Sequence, residues 1–494
     1  MERCAGVLCP MFSVPANQGI GDLGQKTVRM IDCIADSGYH VWQILPLQAK
    51  GRSHSPYHAL SSFAGDPVYI NLDRLCEMGL LTQSSITNCN KFKDRVDYET
   101  VRVFKNEYFR RAFKAFKKNY DSFKEDFEYF EKTAFWLEDW AIYQLFRSLN
   151  SERPWIEWDE EYRNYPLYKE VDLSEYEDEL FYTKFLQFIF YKQFDDIVMY
   201  AHAREITLIS DVAFVNYDSA DVWANPELFQ MDEEVKPISV AGCPPDAFSA
   251  DGQLWGNPVY KWDYHKQTGY TWWIKRIENS TKLYDVIRID HFRGFDEYYA
   301  IPAGSKNAVI GKWEKGPGMD LFDVVKEKLG EISIIAEDLG YITDSVRQLV
   351  KDSNFPNMKV LEFAFDARDS YEPCEYLPFT YYNNCVVYTG THDNETLLGW
   401  LKHINDYTLG YIKDYIGRDI PVGQEMVDEI IRLAHSSVAD LCIIPLQDYL
   451  GLGNEARINT PSTLGDNWKW RVTKDKLTDK VADKIRKYTN VYRR

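Results

Sequence analysis

Tyr284-Asp-Val-Ile-Arg-Ile-Asp-His-Phe-Arg-Gly-Phe295 is a short apolar run that ends abruptly in charge, at Arg288, Asp290, His291 and Arg293. In an extended segment Val286, Arg288 and Asp290 share one face, and Ile287 and Ile289 share the other. The run therefore predicts a strand that packs its apolar face on helices and carries its polar groups to its C-terminal end. A carboxylate beside a guanidinium is held ionised at neutral pH. Such a carboxylate, fixed in place, can act as a nucleophile or electrostatic stabiliser toward an electron-poor carbon. Asp290 is the candidate, with an Arg-Asp pair that merely caps a strand as the structural alternative.

The pattern recurs. Past residue 200, helical stretches alternate with β-rich runs at 206–211, 285–290, 332–337, 358–365, 385–393 and 441–448, all but 358–365 ending in an acidic residue. Strands alternating with helices imply parallel pairing, and polar groups gathered at the C-terminal ends of such strands are the arrangement of a barrel enzyme. The expected fold class is α/β, a (β/α)8 TIM barrel with helical and loop insertions, the whole of 1–494 forming one catalytic domain. A doubly wound sheet would need a glycine-rich phosphate turn after an early strand; Gly19-Ile-Gly-Asp-Leu-Gly24 has the spacing but no strand before it. Residues 41–47 read as an early strand halted by Pro46, followed by the polar loop Ser53-His-Ser-Pro-Tyr-His58. Residues 73–199 shift to long charged and aromatic helical patterns and predict an inserted, mainly helical subdomain, whose Phe, Tyr and Trp stripes read as packing.

Composition narrows the function classes. With 57 Lys and Arg against 76 Asp and Glu, the net charge of -19 disfavours a surface that tracks phosphates, so nucleic acid is not an expected partner. The nine cysteines lie scattered from Cys4 to Cys442 without a C-x-x-C pair, which fits reduced thiols in the cytoplasm. No charged n-region with an apolar core opens the chain, and no window approaches the roughly 20 apolar residues of a membrane span. The 34 Tyr and 14 Trp exceed what a core needs, and flat rings with polar edges suit sugar faces as well as interiors.

Two further strand ends join Asp290. Ile334-Ile-Ala-Glu337 ends in a glutamate, and Val386-Val-Tyr-Thr-Gly-Thr-His392-Asp393 ends in a histidine and an aspartate. On neighbouring barrel strands these acids would converge. Glycosidic bond chemistry needs one ionised carboxylate, one protonated carboxyl for the leaving oxygen, and groups that hold the distorted sugar. Glu337 would be the acid, Asp290 the nucleophile, and Asp393 with His392 the sugar-holding group; the charges of Asp290 and Asp393 would help keep Glu337 protonated. A divalent-metal site is the rival. Arg288 would repel the cation, and the chain has no His-x-His or His-Glu-x-x-His spacing, so neither metal nor cofactor is expected.

Longer motifs add a resemblance: Ser55-Pro-Tyr-His58 with Ser62-Phe-Ala-Gly65, Asp218-Ser-Ala-Asp-Val-Trp-Ala-Asn-Pro-Glu-Leu-Phe229, the stretch from Pro244 to Pro258, Gly269-Tyr-Thr-Trp-Trp273, Arg288-Ile-Asp-His-Phe-Arg-Gly294, Ala336-Glu-Asp-Leu-Gly340 and Gly390-Thr-His-Asp-Asn394. From Pro15 to Arg471 the chain resembles the amylomaltases, 4-alpha-glucanotransferases of the disproportionating type related to the alpha-amylases. The resemblance implies a retaining transfer of alpha-1,4-glucan segments from one maltooligosaccharide or starch-type glucan to the 4-hydroxyl of another, or to glucose. It makes Asp290 the nucleophile, Glu337 the general acid/base and Asp393 the transition-state stabiliser. Arg288 and His392 would support the same sugar, Tyr57 would stack on it, and Asp218 would bind it at the catalytic subsite. Residues 242–258 would form a lid, with Asp246, Phe248, Gln253 and Trp255 toward substrate. The segment between Asp211 and Asp218 departs from the family by lacking a proline and appearing one residue shorter, and Asp251 stands where a small or hydroxyl residue is frequent. Implied partners are maltooligosaccharides and starch- or glycogen-derived alpha-glucans, the protein being a monomer or weak homodimer. An amylase-type hydrolase and a catalytically silent glucan-binding protein are the alternatives.

Overall fold

A computed structural model describes every residue except 1, 88–91, 246–249, 341, 366–373 and 474. In chain order its strands are β1 (Cys4–Leu8), β2 (Val41–Gln43), β3 (Thr207–Val212), β4 (Ser239–Cys243), β5 (Gln253–Pro258), β6 (Val286–Ile289), β7 (Glu297–Pro302), β8 (Lys312–Lys315), β9 (Ile334–Ala336), β10 (Asn357–Val360), β11 (Cys385–Tyr388) and β12 (Leu441–Pro445). Eight of them close a barrel in the order β1-β2-β3-β6-β9-β10-β11-β12, every neighbour parallel. The alternation of strand and helix thus leads to the expected barrel.

The sequence reading passes over β1, which closes the ring by pairing with β12 from Cys4↔Leu441 to Leu8↔Pro445. It also draws the strands too long. Past the barrel rim the backbone loses its partner and turns: β10 gives way to the helix Leu361–Ala364, and β12 to the helix Leu446–Leu450. Pro445 helps end β12, since a proline has no N–H for the ladder. A second, antiparallel sheet of order β5-β4-β7-β8 is assembled from segments on either side of β6 and was not anticipated. Both ends of the segment expected as a lid belong to it, with Gly242 paired to Leu254 and Cys243 to Gln253. A Cβ at Gly242 would lie 2.2 Å from the Gln253 carbonyl, so the close approach of the two strands requires glycine there.

Residues 73–199 are mainly helical, built around Tyr98–Lys118, Lys124–Thr133, Leu137–Leu149 and Glu177–Ala203. Along the first of these Tyr98, Val101, Lys105, Tyr108, Phe109, Ala112, Phe113 and Phe116 are buried, the three- and four-residue spacing of one helix face. The Phe116 ring meets those of Phe127, Phe181, Phe185 and Phe188, so the aromatic stripe is packing. Lys105 interrupts it without loss: its ammonium donates to the Val68 and Ile70 carbonyls at 2.8 Å each and lies 3.4 Å from the Asp22 carboxylate. The long helix Glu177–Ala203 fixes the loop after β2. Gln187 bonds both backbone groups of Gly65 (2.8 and 2.9 Å), and Gln193 both of Asn71 (2.8 and 3.1 Å). The insertion therefore braces the segment that carries Tyr57.

Candidate active site

Asp290 follows directly on β6, Glu337 on β9, and His392 and Asp393 come a short turn after β11, all at the same end of the barrel. In the β3–β6 register Asp211 lies beside Arg288. Arg288 is buried and joins two strands' acids, donating to Asp211 at 2.8 Å and to Asp290 at 3.2 Å. The Tyr57 hydroxyl donates to the same oxygen of Asp211. His291 takes a left-handed backbone (φ 48°) and turns the chain at once, so that its N–H donates to Glu337 at 2.6 Å while the Leu339 N–H donates to the other oxygen at 2.9 Å. Asn459 holds Asp393 from the far side (2.6 Å), and Arg457 donates to the Asp393 carbonyl at 2.7 Å. The Tyr57 ring stacks on His392 at 5.0 Å and 16°, and Trp468 leans on both at 5.9 Å.

The acids sit in different fields. Burial pushes Glu337 up to about 7; Asp290 adds to this, while Arg288 and the two amide N–H groups oppose it. Burial rather than the neighbouring negative charges is thus the leading cause of the rise at Glu337. Burial also raises Asp290, and Arg288 offsets it only in part, which corrects the expectation that the guanidinium alone would keep this carboxylate low. Of the two acids, Asp290 is the one that Arg288 hydrogen-bonds directly. Burial works against the charge of Asp393 as well, but the His392 charge and hydrogen bond and the Asn459 amide more than reverse it and hold the carboxyl well below the usual range. His392 in turn is raised: burial disfavours its charge and Asp393 outweighs that.

Other expected residues are distributed differently. Trp255 is brought to the centre, its ring edge-on to His291 at 4.8 Å, and its indole N–H donates to Gln253 at 3.0 Å. Asp218 is not brought there: Arg147 donates to it at 2.9 Å, and the Tyr143 hydroxyl and Trp155 N–H at 3.1 Å each, so it ties the helical insertion to the barrel. Asp251, just before β5, accepts from Asn307 of the β7–β8 loop at 3.0 Å in an exposed contact. Asp246 and Phe248 lie outside the described residues. Among the described residues, no group of three or more His, Cys, Asp or Glu side chains is disposed to hold a metal ion.

Sequence reasoning missed two acids. Asp211 closes one of the β-rich runs yet was passed over for Asp218; the strand register is the signal that selects it. Glu362 is fully enclosed, with Asn394 donating to one oxygen at 2.9 Å and the other without a partner. Asn394 in turn accepts from both the N–H and the hydroxyl of Thr391 at 2.9 Å, pinning the turn that carries His392 and Asp393. Burial, then Asp448, push Glu362 well above the carboxylate range, which favours its neutral form. Glu362→Gln should therefore leave stability to urea within about 0.5 kcal/mol of the parent, whereas Glu362→Leu should lose about 1–3 kcal/mol by stranding the Asn394 amide. Equal losses in the two variants would mean that the carboxyl is ionised.

Residues 9–478 match the family model described as 4-alpha-glucanotransferase. The chain is 42% identical over 495 residues to a 4-alpha-glucanotransferase of Clostridium butyricum, covering 98% of this chain and 99% of that one. It is 38% identical over 501 residues to the 4-alpha-glucanotransferase of Thermus thermophilus, covering 98% of each. Among solved structures it is similar to an amylomaltase from Streptococcus agalactiae in complex with acarbose, with a TM-score of 0.94, 33% identity and 100% of both chains covered.

Proposed function

Because the chain belongs to the 4-alpha-glucanotransferase family, we propose that its carboxylates perform a two-step retaining transfer between alpha-1,4-glucans. Asp290 attacks the anomeric carbon as Glu337 gives its proton to the leaving glycosidic oxygen, forming a glycosyl ester on Asp290 and freeing the reducing-end fragment. Glu337, now a carboxylate, takes the proton from the 4-hydroxyl of an incoming glucan or glucose, which displaces the ester. Asp393, ionised and fixed by Asn459, holds the hydroxyls of the distorted sugar, and Tyr57 with His392 forms the platform beside it. The observation that carries this reading is the geometry of two acids at the ends of adjacent strands, one hydrogen-bonded by Arg288 and the other pushed up to about 7 by burial.

Transfer rather than hydrolysis depends on the acceptor. Trp255 stands over His291, the residue next to the nucleophile, where a ring would orient a sugar and displace water. Positioning of this kind can contribute roughly 7–11 kcal/mol. Maltotriose alone should yield glucose together with longer maltooligosaccharides while the number of reducing ends stays nearly constant. A steady climb in reducing ends, with no product longer than the substrate, would instead favour the amylase-type hydrolase. Neither outcome is expected of a silent glucan-binding protein, which would leave maltotriose intact.

The raised Glu337 also sets a pH profile. Since the first step needs Glu337 protonated, kcat/KM should fall as pH rises through about 7. It should fall again in acid, where Asp290 takes up a proton at a pH above the ordinary carboxylate value. A rate that stays flat from pH 6 to about 9, with chemistry limiting, would remove Glu337 from the acid role.

A further inference from the structure

Three of the motifs that carry the family resemblance meet away from the carboxylates. Phe63, the Asp221-to-Leu228 part of the long motif and Trp272 line one side of an open groove of about 370 Å³, and Phe135 and Trp136 of the helical insertion line the other. Its volume is that of a small-ligand cleft. Phe63 is the hub of its floor, edge-on to Phe135 at 5.0 Å, parallel to Trp136 at 6.2 Å and 12°, and edge-on to Trp272 at 6.1 Å. Phe135 keeps 44% of its surface exposed, an aromatic face that packing has left open.

Polar groups surround this floor. Asp139, Glu227 and Lys275 all line the groove, and Lys275 places its ammonium 4.6 Å from the centre of the Phe135 ring. A small cavity beside Tyr57 and Asp211 shares Ser61 and Asp221 with the groove as a common wall.

We propose that this groove is a second glucan-binding site, which holds a stretch of alpha-1,4-linked polymer while another stretch occupies the catalytic centre. Sugar rings present C–H faces to aromatic surfaces and a rim of hydroxyls that both donate and accept, and the groove offers rings flanked by the carboxyls of Asp139, Asp221 and Glu227 and by one ammonium. An anion would meet these acids, and a purely apolar ligand would desolvate the charges around the rings. A neutral polyol has neither cost. The groove shares a wall with the small cavity that Tyr57 and Asp211 line, so a chain long enough to reach both the groove and the catalytic centre would bind through both, with the gain of a tethered second contact. The inference rests on the family's glucan chemistry and not on which acid is the nucleophile.

The test compares wild-type protein with the variant Phe135→Ser/Glu227→Ala and with Lys275→Ala, all at solvent-facing positions. Retardation in native gels containing glycogen gives the polymer affinity, and kinetics on maltotriose and on long amylose give the activity. The groove variants should bind glycogen about fivefold or more weakly and show a raised KM for amylose, with maltotriose turnover unchanged. Unaltered retardation, or wild-type protein that glycogen does not retard, would overturn the proposal. So would an equal loss on maltotriose, which would make the groove part of the catalytic cleft. Wild-type protein that binds glycogen through the groove but fails to disproportionate maltotriose would instead refute the proposed transfer and leave this site standing.

Discussion

Asp290→Asn and Glu337→Gln should each fold normally and lose nearly all turnover, a rise in barrier on the order of several kcal/mol. The two losses should differ in kind. Asp290→Asn removes the nucleophile and halts the first step for every donor. Glu337→Gln removes a proton that a good leaving group does not need, so an activated donor such as alpha-maltosyl fluoride should still glycosylate Asp290. The second step then lacks its base, and the ester should accumulate. Mass spectrometry of a peptide digest should find the added maltosyl mass on the peptide that contains residue 290. Mass on the peptide of Asp211 or Asp393 would transfer the nucleophile role to that residue, and near wild-type turnover in either variant would end its assignment.

Asp290 and Glu337 were legible because each directly follows an apolar run and a polar group that ends a barrel strand faces the mouth, and Asp393 because it comes a short turn after another such run. The network around them was not. Asp211 and Arg288 become partners only through the β3–β6 register, which no local pattern encodes. Glu362 looks like any helix-surface acid, and its burial appears only once the turn after β11 packs over it. Asp218 shows the converse: a long motif marks a residue as important, but its ligands here are Arg147, Tyr143 and Trp155, the contacts of a brace between insertion and barrel. Of the fold, β1 was missed because five residues near a terminus carry little periodicity, and the second sheet because its pairing joins segments separated by β6. The barrel itself was readable from the rhythm of strand and helix, which is a property of the whole chain rather than of any one segment.

Arg288→Met should be the most damaging single change outside the acids. The guanidinium side chain is 5% exposed, Asp211 0% and Asp290 28%, so removing it strands one carboxylate in the interior and leaves a second without its counter-charge at the edge of the cleft. Breaking a buried pair from one side costs about 3–5 kcal/mol. Without the guanidinium that opposes its burial, Asp290 rises further above the value of the unfolded chain and takes up a proton more readily. Groups shifted in that direction stabilise the fold below the unfolded pKa, and the contribution is lost as pH rises through the folded value. The variant should therefore be closest to wild type near about pH 4–5 and lose stability relative to it toward about pH 8, as read by urea denaturation at both. Activity at neutral pH should vanish even in the folded fraction, because a protonated Asp290 cannot attack. Arg288→Lys keeps the charge but replaces a planar fork by a shorter point donor, so it should fall between the two in stability. If Arg288→Met instead matches wild-type stability at both pH values, the acids do not depend on the guanidinium for their charge. The Asp290 nucleophile would then need another source of ionisation.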